Sequence, residues 1–98
     1  MPPRLSLNPE AQADLVEAFG WYEGQRPGLG GEFLAEVALI LVRIEDGPLQ
    51  FPVVQGETRR AIVHRFPYAV FFIVDPDVTA VTAVMHGRRD PSRWQTRR

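Results

Sequence analysis

Two clusters of basic side chains hold most of this chain's capacity for acid–base or phosphate chemistry. Arg59, Arg60, His64 and Arg65 form one, and His86, Arg88 and Arg89, with Gly87 among them, form the other. Arginine's planar fork grips a phosphate or carboxylate with two parallel hydrogen bonds, and histidine exchanges protons near neutral pH. Arginines holding a scissile phosphate while a histidine acts as general acid or base is the chemistry such a set can perform. In that scheme His86 carries the proton, and Arg59, Arg65 and Arg88 hold the phosphate. His86 is the better candidate because Gly87 leaves the neighbouring backbone open to close approach. His64 alternates with Val63 inside a strand-like run and reads as a surface or packed histidine. Charged residues at strand ends are equally well explained as solvated boundaries.

Other chemistries find no support. The chain has no cysteine, which removes disulfides, thiolate metal sites and thiol nucleophiles together. It has neither a phosphate-binding glycine loop with lysine nor an HExxH motif, and Gly28, Gly30 and Gly31 follow a helical pattern rather than a strand. His64 and His86 have no carboxylate cluster in sequence reach, so neither a metal nor a cofactor is expected.

The net charge of −1 conceals a strong polarity. Residues 1–57 carry nine acids against three arginines, a balance of −6, whereas residues 58–98 carry eight arginines against three acids, a balance of +5. Such a chain offers a basic surface to an anionic partner while staying nearly neutral overall. Every cationic residue except histidine is arginine. A GC-rich coding sequence explains this as readily as phosphate recognition does.

The elements that must position these residues follow from periodicity and punctuation. Arg4-Leu5-Ser6-Leu7 alternates as a half-buried strand does. Asn8-Pro9-Glu10 reads as a helix start, with Asn8 as N-cap and Pro9 in the first turn. Ala11, Leu15, Ala18, Phe19 and Tyr22 then lie on one apolar stripe. Arg26-Pro27-Gly28-Leu29-Gly30-Gly31 breaks the helix, and a second runs from about Gly31 to Asp46, ended by Gly47-Pro48. Its apolar residues are numerous enough (Phe33, Leu34, Val37, Ala38, Leu39, Ile40, Leu41, Val42, Ile44) to predict burial on more than one side. Residues 49–58 read as a connection. Three strands follow: 59–66, then the unbroken apolar run 68–74 suited to a central strand, then the β-branched run 78–85. The predicted fold is α+β, in the order β-α-α-β-β-β, with a helical hairpin packed on one face of an antiparallel sheet. Residues 1–98 are expected to form one domain, with 86–98 a basic tail. Trp21, Tyr22, Phe71 and Phe72 are expected in the core or in helix–sheet packing, whereas Trp94 either anchors the tail or meets a partner.

Several stretches, taken in order, resemble the RelE/ParE toxin family, and its ParE side most closely. They are Ala13-Asp14-Leu15, Glu17-Ala18, Trp21-Tyr22-Glu23, Pro27-Gly28-Leu29-Gly30, Phe33-Leu34 and Val37 in the first half. Arg59-Arg60, Phe66-Pro67-Tyr68-Ala69-Val70-Phe71-Phe72 and His86-Gly87-Arg88-Arg89-Asp90-Pro91 with Trp94 complete the likeness. The resemblance implies the toxin of a type II toxin–antitoxin system, cytoplasmic, held with a cognate antitoxin in a hetero-oligomer. Its implied target is DNA gyrase, bound through Arg59, Arg60, Arg65, His86, Arg88, Arg89 and Trp94. The alternative is a RelE-like endoribonuclease acting on messenger RNA in the ribosome. The lack of lysine departs from ribonucleases of the family that rely on it. No signal-peptide core or long apolar run suggests a membrane.

Overall fold

A computed structural model describes residues 4–87 and 92–97. The chain runs β1 (Arg4–Leu7), α1 (Pro9–Gln25), α2 (Leu29–Asp46), a 3-10 turn (Pro48–Gln50), β2 (Val53–Gln55), β3 (Thr58–Ile62), β4 (Tyr68–Val74), β5 (Val78–His86) and α3 (Ser92–Gln95). The α+β class and the hairpin on one sheet face agree with the sequence reading, and the sheet itself departs from it. Its order is β1-β5-β4-β3-β2, and β1 pairs parallel with β5, so the sheet is mixed rather than antiparallel. The helical hairpin carries the chain from β1 across one face to β2 at the opposite edge, and the β2-β3-β4-β5 meander then returns it beside β1, where β5 runs parallel to that strand. The stretch read as a connection supplies the 3-10 turn and the edge strand β2.

β3 is shorter than its apolar pattern suggested. It ends at Ile62, and the chain turns through Arg65, whose φ of 73° lies in the left-handed region. A non-glycine residue is held there only where its surroundings over-determine it. Val63 N–H donates to Tyr68 O at 2.9 Å and closes the turn.

Strand alternation divides the core in two. On the helix side Val70, Phe72, Val81 and Val84 meet Ala11, Ala18 and Tyr22 of α1 and Phe33, Val37, Ile40 and Ile44 of α2. On the opposite side Ala69, Phe71, Ala83 and Met85 form a smaller cluster, with Val54 and Trp94 packed against it. The helix side is tightened by rings: Tyr22 lies 5.1 Å from Phe33 and 4.9 Å from Phe66, centroid to centroid.

The second helix is covered on one side only, contrary to what its composition suggested. Leu39 and Val42 stay 63% and 57% exposed, and on the outer side of α1 Val16 is 74% exposed. Trp21, expected inside, is 59% exposed. The hairpin therefore presents a second apolar surface outward, more than a stable monomer needs.

Candidate functional site

Among the described residues, the basic side chains singled out from the sequence do not assemble into one constellation. Arg59 and Arg60 are neighbours in β3, so their side chains leave opposite faces of the sheet. Arg59 faces the helices, where its Nη1 donates to Phe51 O at 2.6 Å and ties down the chain before β2. Arg60 pairs in register with Phe71, on the side away from the helices.

Arg65 is drawn toward α2. Its Nη2 donates to Glu32 Oε1 at 2.9 Å, Nη1 lies 3.9 Å from Glu36 Oε2, and the guanidinium stands 5.5 Å from the Phe66 ring centre. Arg26 bonds the other oxygen of Glu32 at 2.9 Å. The hydrogen bonds from Arg65 and then Arg26 hold the Glu32 carboxyl below its ordinary range. These contacts account for the left-handed Arg65: the guanidinium is engaged on α2 while the backbone turns. His64 stands 3.6 Å from Glu36 and is mostly in solvent, as a surface histidine should be.

His86 ends β5 opposite Tyr68, with ring centroids 5.8 Å apart. It is half-buried beside α1 in the lining of a hollow of about 390 Å³ shared with Glu17, Trp21, Tyr22, Pro67 and Tyr68. Burial, and then the neighbouring Tyr68, push the Tyr22 hydroxyl above its ordinary pKa. Neither Arg59 nor Arg65 lines this hollow, so the histidine-with-arginines arrangement drawn from the sequence is not formed by these residues. Arg88 and Arg89 lie outside the described residues. Trp94 resolves as an anchor. Its ring stacks on Phe71 at 4.2 Å and 13°, on the sheet side that also carries Arg60. Among the described residues no group of histidines and carboxylates is placed to hold a metal, and no helix is long and apolar enough to cross a membrane.

The sequence reading missed three features. The first is a brace between Asp14 and Arg97 along β5, at 2.6 Å. Asp14 falls three residues after Ala11 and four before Ala18, on the buried stripe of α1, and an acid there signals a required partner. The second is the pair Glu17 and Trp21, one helical turn apart on the flank of that stripe. The third is the outward apolar surface of the hairpin. Gln12, Leu15, Val16, Phe19 and Leu34 line an almost wholly apolar hollow of about 360 Å³ between the helices. Leu39, Ile40, Arg43, Ile62, His64 and Glu36 line another of about 230 Å³ where α2 meets the end of β3. β2 pairs with β3 at Thr58 and Arg59, and Arg60 N–H donates to Pro52 O at 3.1 Å, which leaves Ala61 and Ile62 without a strand partner on that edge among the described residues.

Residues 5–91 match the family described as ParE toxin of type II toxin-antitoxin system, parDE. No curated protein matches the sequence. Among solved structures, one described as "Chromosomal ParDE TA system from P. aeruginosa" superposes with a TM-score of 0.79 at 16% identity. That superposition covers 87% of this chain and 96% of the other and concerns the fold.

Proposed function

Since the chain belongs to the ParE toxin family of type II toxin–antitoxin systems, we propose that it is a cytoplasmic toxin that inhibits DNA gyrase by binding and is neutralised by a cognate antitoxin. Family membership over residues 5–91 is the observation that carries this reading. The separation of His86 from Arg59 and Arg65 supports binding over catalysis, since a general acid needs the scissile phosphate held within hydrogen-bond reach. Of the conspicuous arginines, Arg59 serves the chain before β2, Arg65 serves α2, and Arg97 serves α1. Arg60 and Trp94 share the sheet face away from the helices and His86 stands at the end of β5 beside α1, and the target is proposed to bind around this end of the sheet through these residues with Arg88 and Arg89.

The antitoxin has two features to recognise. The outward apolar face around Val16 and Leu34 suits an amphipathic helix, and the bare β3 edge beside Leu39 and Ile62 suits an extended segment. Covering this apolar area would stabilise a small domain through binding linkage. The cognate partner is accordingly expected to raise the unfolding temperature of this protein on mixing. Supercoiling by purified gyrase is the direct test. Inhibition that rises with this protein and is abolished by antitoxin supports the reading, and undiminished supercoiling at molar excess refutes it.

A further inference from the structure

We propose that the hollow between α1 and the His86 end of the sheet is a receptor for the guanidinium of an arginine presented by a partner protein. The inference concerns this hollow alone and does not depend on which target the protein acts upon.

The hollow, at about 390 Å³, is of the size that takes one long side chain, and its lining is mainly apolar. Three of its six lining residues are aromatic: Trp21, Tyr22 and Tyr68. Tyr22 and Tyr68 are anchored in the ring cluster, with centroids 5.8 Å apart, and Tyr22 meets the Trp21 ring edge-on at 5.1 Å. Trp21 is thus positioned from one side yet remains 59% exposed. An exposed indole braced by a buried ring is a poor way to complete a core and a good platform for a cation.

The remaining requirement is a carboxylate, and Glu17 supplies it. The other acids at this end of the hairpin are already engaged. Asp14 takes Arg97, Glu23 takes the amides of Gly28 and Gly30, Glu32 takes Arg26 and Arg65, and Glu36 lies against Arg65 and His64. Glu17 lines the hollow one helical turn from Trp21 and has no ion pair or hydrogen bond among the described residues. A carboxylate beside an indole face matches the guanidinium plane in both of its bonding modes, stacking and a bidentate charged hydrogen bond. A phosphate would meet the Glu17 charge instead. Two bases stand close by. His86 belongs to the lining, and Arg93 shares a much smaller hollow of about 30 Å³ with Asp14 and Glu17.

The two tryptophans give two indole N–H signals in a nitrogen–proton correlation spectrum, and Trp21→Phe identifies which is Trp21. The wild-type protein is titrated with acetyl-arginine-amide, with its neutral analogue acetyl-citrulline-amide, and with AMP. The proposal expects a saturable shift of the Trp21 signal with the arginine compound while the Trp94 signal stays in place. It expects binding at least about fivefold weaker for the citrulline compound and for Glu17→Gln. Glu17 and Trp21 are exposed, so neither substitution threatens the fold, and unchanged amide spectra verify this. No saturable shift, equal binding by citrulline, or an AMP response that survives Glu17→Gln would each overturn it, the last assigning the hollow to nucleotides.

Discussion

The guanidinium of Arg97 meets the carboxylate of Asp14 at 2.6 Å across the free edge of β5. β1 pairs only with Val78–Val81, so among the described residues β5 beyond Val81 has no strand on that side. Asp14 Oδ2 accepts the Val84 amide at 3.0 Å, and Arg97 Nη1 donates to Thr82 O at 3.3 Å. An ion pair between α1 and the segment after α3 thus takes the place of the missing strand. Both side chains are mostly buried, at 11% and 21% exposure, so breaking the pair leaves a poorly solvated charge and a bare amide. We expect Asp14→Ala to cost about 2–4 kcal/mol and Arg97→Ala about 1–3 kcal/mol in urea denaturation. A double-mutant cycle should return clear coupling, and additivity would contradict the brace.

The same segment is held on the other sheet face by Trp94 stacked on Phe71. Trp94→Ala uncovers Phe71 beside Ala69, Ala83 and Met85, at a cost of about 1–3 kcal/mol. The near-ultraviolet circular dichroism should lose intensity while the far-ultraviolet spectrum is retained. A variant as stable as wild type would mean that Trp94 is not an anchor.

The helix crossing depends on Gly30. A Cβ built there would stand 2.7 Å from Phe19 Cδ2 and 2.9 Å from Glu23 Oε1, so α1 and α2 would have to part or Phe19 to rotate. Glu23 accepts hydrogen bonds from Gly28 N–H at 2.9 Å and Gly30 N–H at 3.0 Å, capping a helix whose N-cap glycine has no side chain to do so. Gly30→Ala should destabilise by about 1–3 kcal/mol despite the better helix propensity of alanine. Glu23→Ala should cost about 1 kcal/mol by thermal denaturation. A stabilised Gly30→Ala variant would refute the close packing.

Glu32, between Arg26 and Arg65, makes the hairpin tip sensitive to acid. Its folded pKa lies below its unfolded one, so its contribution is complete above the ordinary glutamate range. That contribution drains away as pH falls through the lowered folded value. Wild type should therefore lose stability on acidification more steeply than Glu32→Gln, and the difference should shrink in high salt because the groups are exposed. Parallel pH profiles for the two would show that the triad contributes nothing.

Much of this architecture was legible in residue order. Asn8-Pro9 and Gly47-Pro48 mark real helix boundaries, and the unbroken apolar run 68–74 is a central strand. What escaped depends on contacts distant in sequence. Arg4–Leu7 reads as a strand, but its parallel alignment with residues 78–81 is a tertiary choice. Leu39 and Val42 look like core because composition records hydrophobicity without saying what covers it. The candidate site was legible only in part. His86 and Tyr68 were visible as the ends of strands, whereas Glu17 and Trp21 acquire meaning only once α1 is laid beside them. Arg59 and Arg65 looked available for phosphate until their partners, Phe51 O and Glu32, came within reach.

One preparation assayed in parallel on gyrase supercoiling and on messenger RNA in programmed ribosomes tests the proposed action most directly. The account predicts that wild type arrests supercoiling, that antitoxin relieves the arrest, and that the messenger stays intact with wild type and with His86→Ala alike. Cleaved messenger with wild type but not with His86→Ala, alongside normal supercoiling, would contradict it.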